Sequence, residues 1–163
     1  MLVERDAVID RIYRELEEHV LGQLTRPGGD PRDQRLMLCV FRIVPELERS
    51  GDLAAHVAER AVTRLSGEIT PRMRGLVEQM GRIGVEMWRA VADAYIDRDA
   101  SAAEQLTVRD EEVDDLQVSL IAEIASGAVP LPVVIEMALI ARFYERLGDH
   151  AGNVARRVRD MVV

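Results

Sequence analysis

The chain has 163 residues, about the size of one ordinary domain, and 48% of them are apolar, enough to close a core. Twenty-one Lys and Arg against 29 Asp and Glu leave a net charge of −8, so nothing basic covers a phosphate track and nucleic acid is excluded as a partner. The single cysteine, Cys39, excludes an internal disulfide framework and suits a reducing cytoplasm, while a charge-interleaved N-terminus and the lack of any run of 18 apolar residues predict neither signal peptide nor membrane span.

Few aromatic residues, many Ala, Leu, Arg and Glu, and apolar positions three and four apart predict an all-α chain of five helices. The first is expected from about residue 2 to Leu24, where Thr25-Arg-Pro-Gly-Gly-Asp-Pro cannot continue a helix. The second runs from about Arg32 to Leu65 and stops near Ser66-Gly67. The third opens at Thr70-Pro71, a capping residue with proline at the first helical position. Its Met73, Leu76, Met80, Ile83, Met87, Ala90 and Ala94 step by three and four, the seam of a helix packed lengthwise. The fourth covers about Asp99 to Ser126 and the fifth about Leu131 to Met161, separated by Gly127-Ala-Val-Pro-Leu-Pro132. Long helices with short joints predict an elongated antiparallel bundle.

Self-comparison adds an internal repeat. Residues 48–60, ERSGDLAAHVAER, align without gaps on 145–157, ERLGDHAGNVARR, with eight identities in thirteen positions. Upstream, Arg5-Asp6 and Asp10 match Arg109-Asp110 and Asp114, followed six residues later by Leu16 and Leu120. Each half therefore holds one helix with Asp-x-x-x-Asp and a following helix with Glu-x-x-x-Asp. Counted from a turn near Val129, Asp114 lies 15 residues before and Glu145 16 after, while Asp110 lies 19 before and Asp149 20 after. Counted from Gly28, Asp10 pairs with Glu48 and Asp6 with Asp52 in the same way. Residues four apart share a helix face, so each hairpin should gather four carboxylates at matched depth.

Converging carboxylates repel and need a counter-charge. Arg49 and Arg146 adjoin the glutamates, but adjacent positions point about 100° apart on a helix. A hard cation held by several oxygens is the other candidate. A lone Glu-x-x-x-Asp is usually a solvated flank, yet its recurrence in both halves with level acids favours metal on Asp110, Asp114, Glu145 and Asp149 and on Asp6, Asp10, Glu48 and Asp52. Gly51 and Gly148, glycines in mid-helix, point to something approaching the backbone closely. Pro45, three residues before Glu48, is expected to bend the second helix and weaken the first-half site. His56 could extend its acid row, but a hydrogen-bonding or surface role fits it better, and His150 points away from the acids.

Arg142-Phe-Tyr-Glu-Arg-Leu-Gly-Asp-His-Ala-Gly-Asn153-Val-Ala resembles the signature of the PhoU family of phosphate-signalling regulators, as do Pro45-Glu-Leu-Glu-Arg-Ser-Gly-Asp52 and Asp33-Gln-Arg35. The resemblance implies two three-helix repeats, here 1–66 and 67–163, with the first repeat starting where the family's second helix would begin. It implies acidic motifs that in some members hold iron or zinc clusters, and the all-oxygen donors suit manganese or magnesium as well. It also implies a non-enzymatic cytoplasmic protein, at most peripheral to the membrane. Its role would be negative control of phosphate uptake and phosphate-starvation signalling through the phosphate ABC transporter and the sensor histidine kinase. A homodimer is expected, since a second copy could cover the apolar surface that a two-helix first repeat leaves open. The alternative is a metal-free helical scaffold of the same descent.

An enzyme of the di-iron type would need Glu-x-x-His on two helices. Leu16, Leu53 and Leu147 stand three before His19, His56 and His150, so that chemistry is excluded. No GxxxxGK loop and no nucleophile with a paired base is present.

Overall fold

A computed structural model describes residues 2–26, 28–61, 68–127 and 129–162; the side chains of residues 2–7, 9 and 61 lie outside the description. It contains five helices, α1 (Leu2–Leu24), α2 (Pro31–Ala61), α3 (Pro71–Asp97), α4 (Ala102–Ala125) and α5 (Leu131–Val162). The end expected for the second helix, at Leu65, lies outside the described residues. None of the described helices is long and apolar enough to cross a membrane.

The helix ends follow from local chemistry. Asp30 Oδ1 accepts the Arg32 N–H at 2.8 Å, and Pro31 opens α2. Thr70 caps α3 by accepting the Met73 N–H at 3.1 Å, with Pro71 next, and its own hydroxyl donates to Glu123 Oε1 at 3.0 Å, tying the start of α3 to the end of α4. At the far end of α3, Arg98 turns left-handed at φ 54°. The fourth helix starts later than the sequence suggests. Asp99 Oδ1 accepts both the N–H and the hydroxyl of Ser101, so the acid serves the turn before the helix, which begins at Ala102. Gly28 and Gly127, at φ 79° and 78°, make the corresponding turns of the two hairpins, where a Cβ would be strained.

α3, α4 and α5 pack on one another pairwise, α1 packs on α2, and α2 lies along α5. The seam of α3 buries Met73, Met80 and Met87 completely against Val113 and Leu120 of α4 and Met137, Ile140 and Ala141 of α5. Each such side chain contributes about 1.5–3 kcal/mol through removal from water. Pro45 removes one backbone donor, yet α2 runs through it without a break.

The α2–α5 contact is antiparallel. Arg60 Nε meets Glu136 Oε2 at 3.1 Å, while 14 residues earlier on α2 Glu46 meets His150, 14 residues later on α5. Between these pairs His56 of α2 lies on Phe143 of α5.

Candidate metal centre

The second hairpin brings its four acids to one flank of the α4–α5 pair. Asp110 reaches across from α4 to the backbone of α5 at Gly148, where an added Cβ would stand 2.7 Å from its Oδ1. The mid-helix glycine thus makes room for a carboxylate. Burial, followed by the charges of Asp149 and Asp114, pushes Asp110 up from the usual carboxylate range to about 6, with Arg156 pulling the other way. Asp114 is raised by desolvation and then by Asp149. Glu145 is also raised by burial first, against the opposing Arg142 guanidinium, with Asp149 and Asp114 adding to the rise. The level pairing counted along the chain is therefore realised here as mutual repulsion.

Glu145 is held from one side only. Arg142 Nη1 donates to its Oε1 at 2.6 Å, while its Oε2 is buried and has no hydrogen-bond partner. A buried carboxylate oxygen without a donor is costly unless something positive meets it. The donor set around it is all oxygen, which suits a hard cation. As they stand, no three His, Cys, Asp or Glu side chains among the described residues are gathered closely enough to hold a metal ion. Asp110, Asp114, Glu145 and Asp149 feel one another's charge without forming such a group.

The first hairpin is less defined. Asp10 is exposed on α1, Glu48 and Asp52 are half-buried on α2 and each has interactions of its own, and the Asp6 side chain is outside the described residues. His56 takes a role apart from the acids. It is exposed and stacks on Phe143 of α5, 5.5 Å between ring centroids, with the Arg60 guanidinium 4.9 Å over the same Phe143 ring. His19 is exposed on α1.

His150 points away from the acids, as its place next to Asp149 requires, and is 5% exposed. Its Nδ1–H donates to Glu46 Oε2 of α2, and Asn153 Nδ2 donates to the same oxygen at 3.2 Å. Sequence reasoning passed over Glu46. In the repeat it aligns with Phe143, a residue of opposite chemistry, so self-comparison gave no signal for it.

The chain matches the PhoU domain over residues 1–61 and 77–158. It belongs to the PhoU family. A phosphate-specific transport system accessory protein PhoU homolog from Mycobacterium leprae is 31% identical over 161 residues, covering 97% of this chain and 72% of that protein. A PhoU homolog from Deinococcus radiodurans is 31% identical over 158 residues, covering 94% and 74%. The crystal structure of PhoU from Pseudomonas aeruginosa superposes with a TM-score of 0.88 at 29% identity, over 99% of this chain and 79% of that one. The phosphate transport system regulatory protein PhoU from Streptococcus pneumoniae, 21% identical with a TM-score of 0.86, shares the PhoU fold. The helical bundle expected from the two Glu-Arg-x-Gly-Asp boxes is therefore the PhoU bundle.

Proposed function

We propose that this PhoU-family chain is a non-enzymatic, cytoplasmic negative regulator of phosphate uptake and phosphate-starvation signalling. It acts through contacts with the phosphate ABC transporter and the sensor histidine kinase. The observation that carries this is the match to phosphate-specific transport system accessory proteins over nearly the whole chain. A second copy of the chain is a further partner in this reading. Deletion of the gene should make phosphate-starvation genes constitutive, and unchanged phosphate control in the deletion strain would refute the reading.

In the same reading Asp110, Asp114, Glu145 and Asp149 hold a metal ion, and Asp6, Asp10, Glu48 and Asp52 a second one. The cation, iron, zinc, manganese or magnesium, would supply positive charge that relieves the repulsion among the acids. The support is the buried, unpartnered Glu145 Oε2 and the raised Asp110 in its glycine cradle. Element analysis of purified protein tests it directly. A metal-free scaffold is the second reading, favoured by the absence of a preassembled three-ligand group among the described residues. Protein free of metal after incubation with each cation would decide for the scaffold.

A further inference from the structure

The helices on either side of α5, α2 and α4, carry opposite charge on matching stripes. On α2, Arg35, Leu38, Arg42, Pro45 and Arg49 step by three and four and so share one face. At 100° per residue this face falls between Phe41, which lines a cleft with Tyr13 and Val20 of α1, and Glu46, which meets α5. It points away from the apolar hollow that Val40, Val44 and Leu47 line with Trp88 of α3. Its three arginines and Leu38 are exposed. On α4, Glu104, Val108, Glu111, Asp115, Val118 and Ala122 step in the same way, and all six are exposed. This stripe also lies away from α3, opposite Val113 and Leu120, which are buried in the core.

The basic face is not bare for want of a third helix. α5 packs on α2, α3 and α4, and its equivalent stripe, 97 residues later, still leaves Ile135, Arg142 and Arg146 exposed. The levels along the bundle are set by Glu46 opposite His150 and by Asp110 opposite Gly148. α2 and α4 both run antiparallel to α5 and are therefore parallel to each other. Carried across α5, the levels bring Arg42 to Glu104 and Arg49 to Glu111, with each pair seven residues, about 10 Å, from the other. Pro45 comes to the level of Val108 in the same way. Within one chain α5 stands between the two stripes.

We infer that this face binds a second copy of the chain about a two-fold axis parallel to the helices, so that Arg42 and Arg49 of each copy meet Glu104 and Glu111 of the other. Rotation about such an axis keeps every level and makes the α2–α4 contact twice. Copies of net charge −8 repel one another at long range, so association depends on the register in which basic stripe meets acidic stripe. The chain itself supplies that complement at the matching level, which selects a second copy over an unrelated protein. The inference rests on the reading above that a second copy is a partner, and it gives that dimer its face.

Sedimentation of the purified full chain tests it. Wild type should sediment as a dimer at micromolar concentration. Arg42→Glu with Arg49→Glu should weaken dimerisation at least about tenfold, as should Glu104→Arg with Glu111→Arg. An equimolar mixture of the two double variants should regain the wild-type affinity, because both of its contacts are again complementary. Leu47→Glu, on the opposite side of α2, should leave the dimer unchanged. Should a charge-reversed chain fail to fold, Arg49→Cys with Glu111→Cys in one chain gives a second measurement. α5 keeps these two positions apart within a chain and Cys39 is buried, so mild oxidation should yield a covalent dimer, and a chain that stays monomeric after oxidation overturns the inference. A monomeric wild type overturns it together with the dimer of the reading above. A dimer that survives both reversals, dissolves with Leu47→Glu, or is not restored in the mixture overturns the inference alone. Neither result touches the regulator, which the deletion strain tests.

Discussion

At Gly148 the backbone of α5 touches the Asp110 carboxylate so closely that a Cβ would stand 2.7 Å away. Alanine there has two opposed effects. It favours the helix by roughly 1 kcal/mol relative to glycine, and it forces Asp110 to turn out of its cradle. Gly148→Ala should therefore change stability by less than about 1 kcal/mol in urea melts while lowering bound metal, a separation that a purely structural glycine would not give. Asp110 itself sets a pH dependence. Its folded value of about 6 lies above the ordinary 3.8, so the folded state binds the extra proton between these values. The stability it lends is present below pH 3.8 and is lost as pH rises through 6. Metal-free protein should lose about 1–2 kcal/mol from this group between pH 4 and 7, after allowance for solvent screening. Asp110→Asn should flatten that slope in thermal melts at the two pH values. Glu46→Ala strands buried His150 and leaves Asn153 without this bond, and should cost about 1–3 kcal/mol in a denaturant titration.

Among the elements, the two hairpins are not equal. α4 and α5 present acids that sense one another, whereas among the described residues of α1 and α2 Asp10 is exposed and Glu48 and Asp52 are half-buried. Glu145→Gln with Asp149→Asn should reduce bound metal more than Glu48→Gln with Asp52→Asn, measured by elemental analysis at equal protein concentration. Much at this scale was legible in the sequence. Thr70-Pro71 set the start of α3, Gly28 and Gly127 the hairpin turns, and level counting from those turns predicted that Asp110 and Asp149 would face one another. What was not legible depended on contacts between elements that periodicity does not encode. Asp99 was expected to open α4, but its carboxylate closes the turn before the helix. Glu46 met His150 across more than a hundred residues of chain, and only the α2–α5 crossing brings them together.

For the whole molecule, a ligand that binds only the folded chain stabilises it by mass action, about 2.7 kcal/mol at a hundredfold excess over the dissociation constant. Added Mn²⁺, Fe³⁺, Mg²⁺ or Zn²⁺ should raise the melting temperature and chelator should lower it; an unchanged melting curve under all of them speaks for the scaffold. Asp149 and His150 are consecutive on α5, and their side chains leave the helix about 100° apart. One belongs to the acids that face α4 and the other grips Glu46 of α2. A helix rolls as a unit, so a roll that brought the acids inward around a cation would drag the grip on Glu46 with it. Were that flank loaded, it would be geared to the tension of the joint between α2 and α5, and slowed amide exchange along α2 on cation addition would register the gearing.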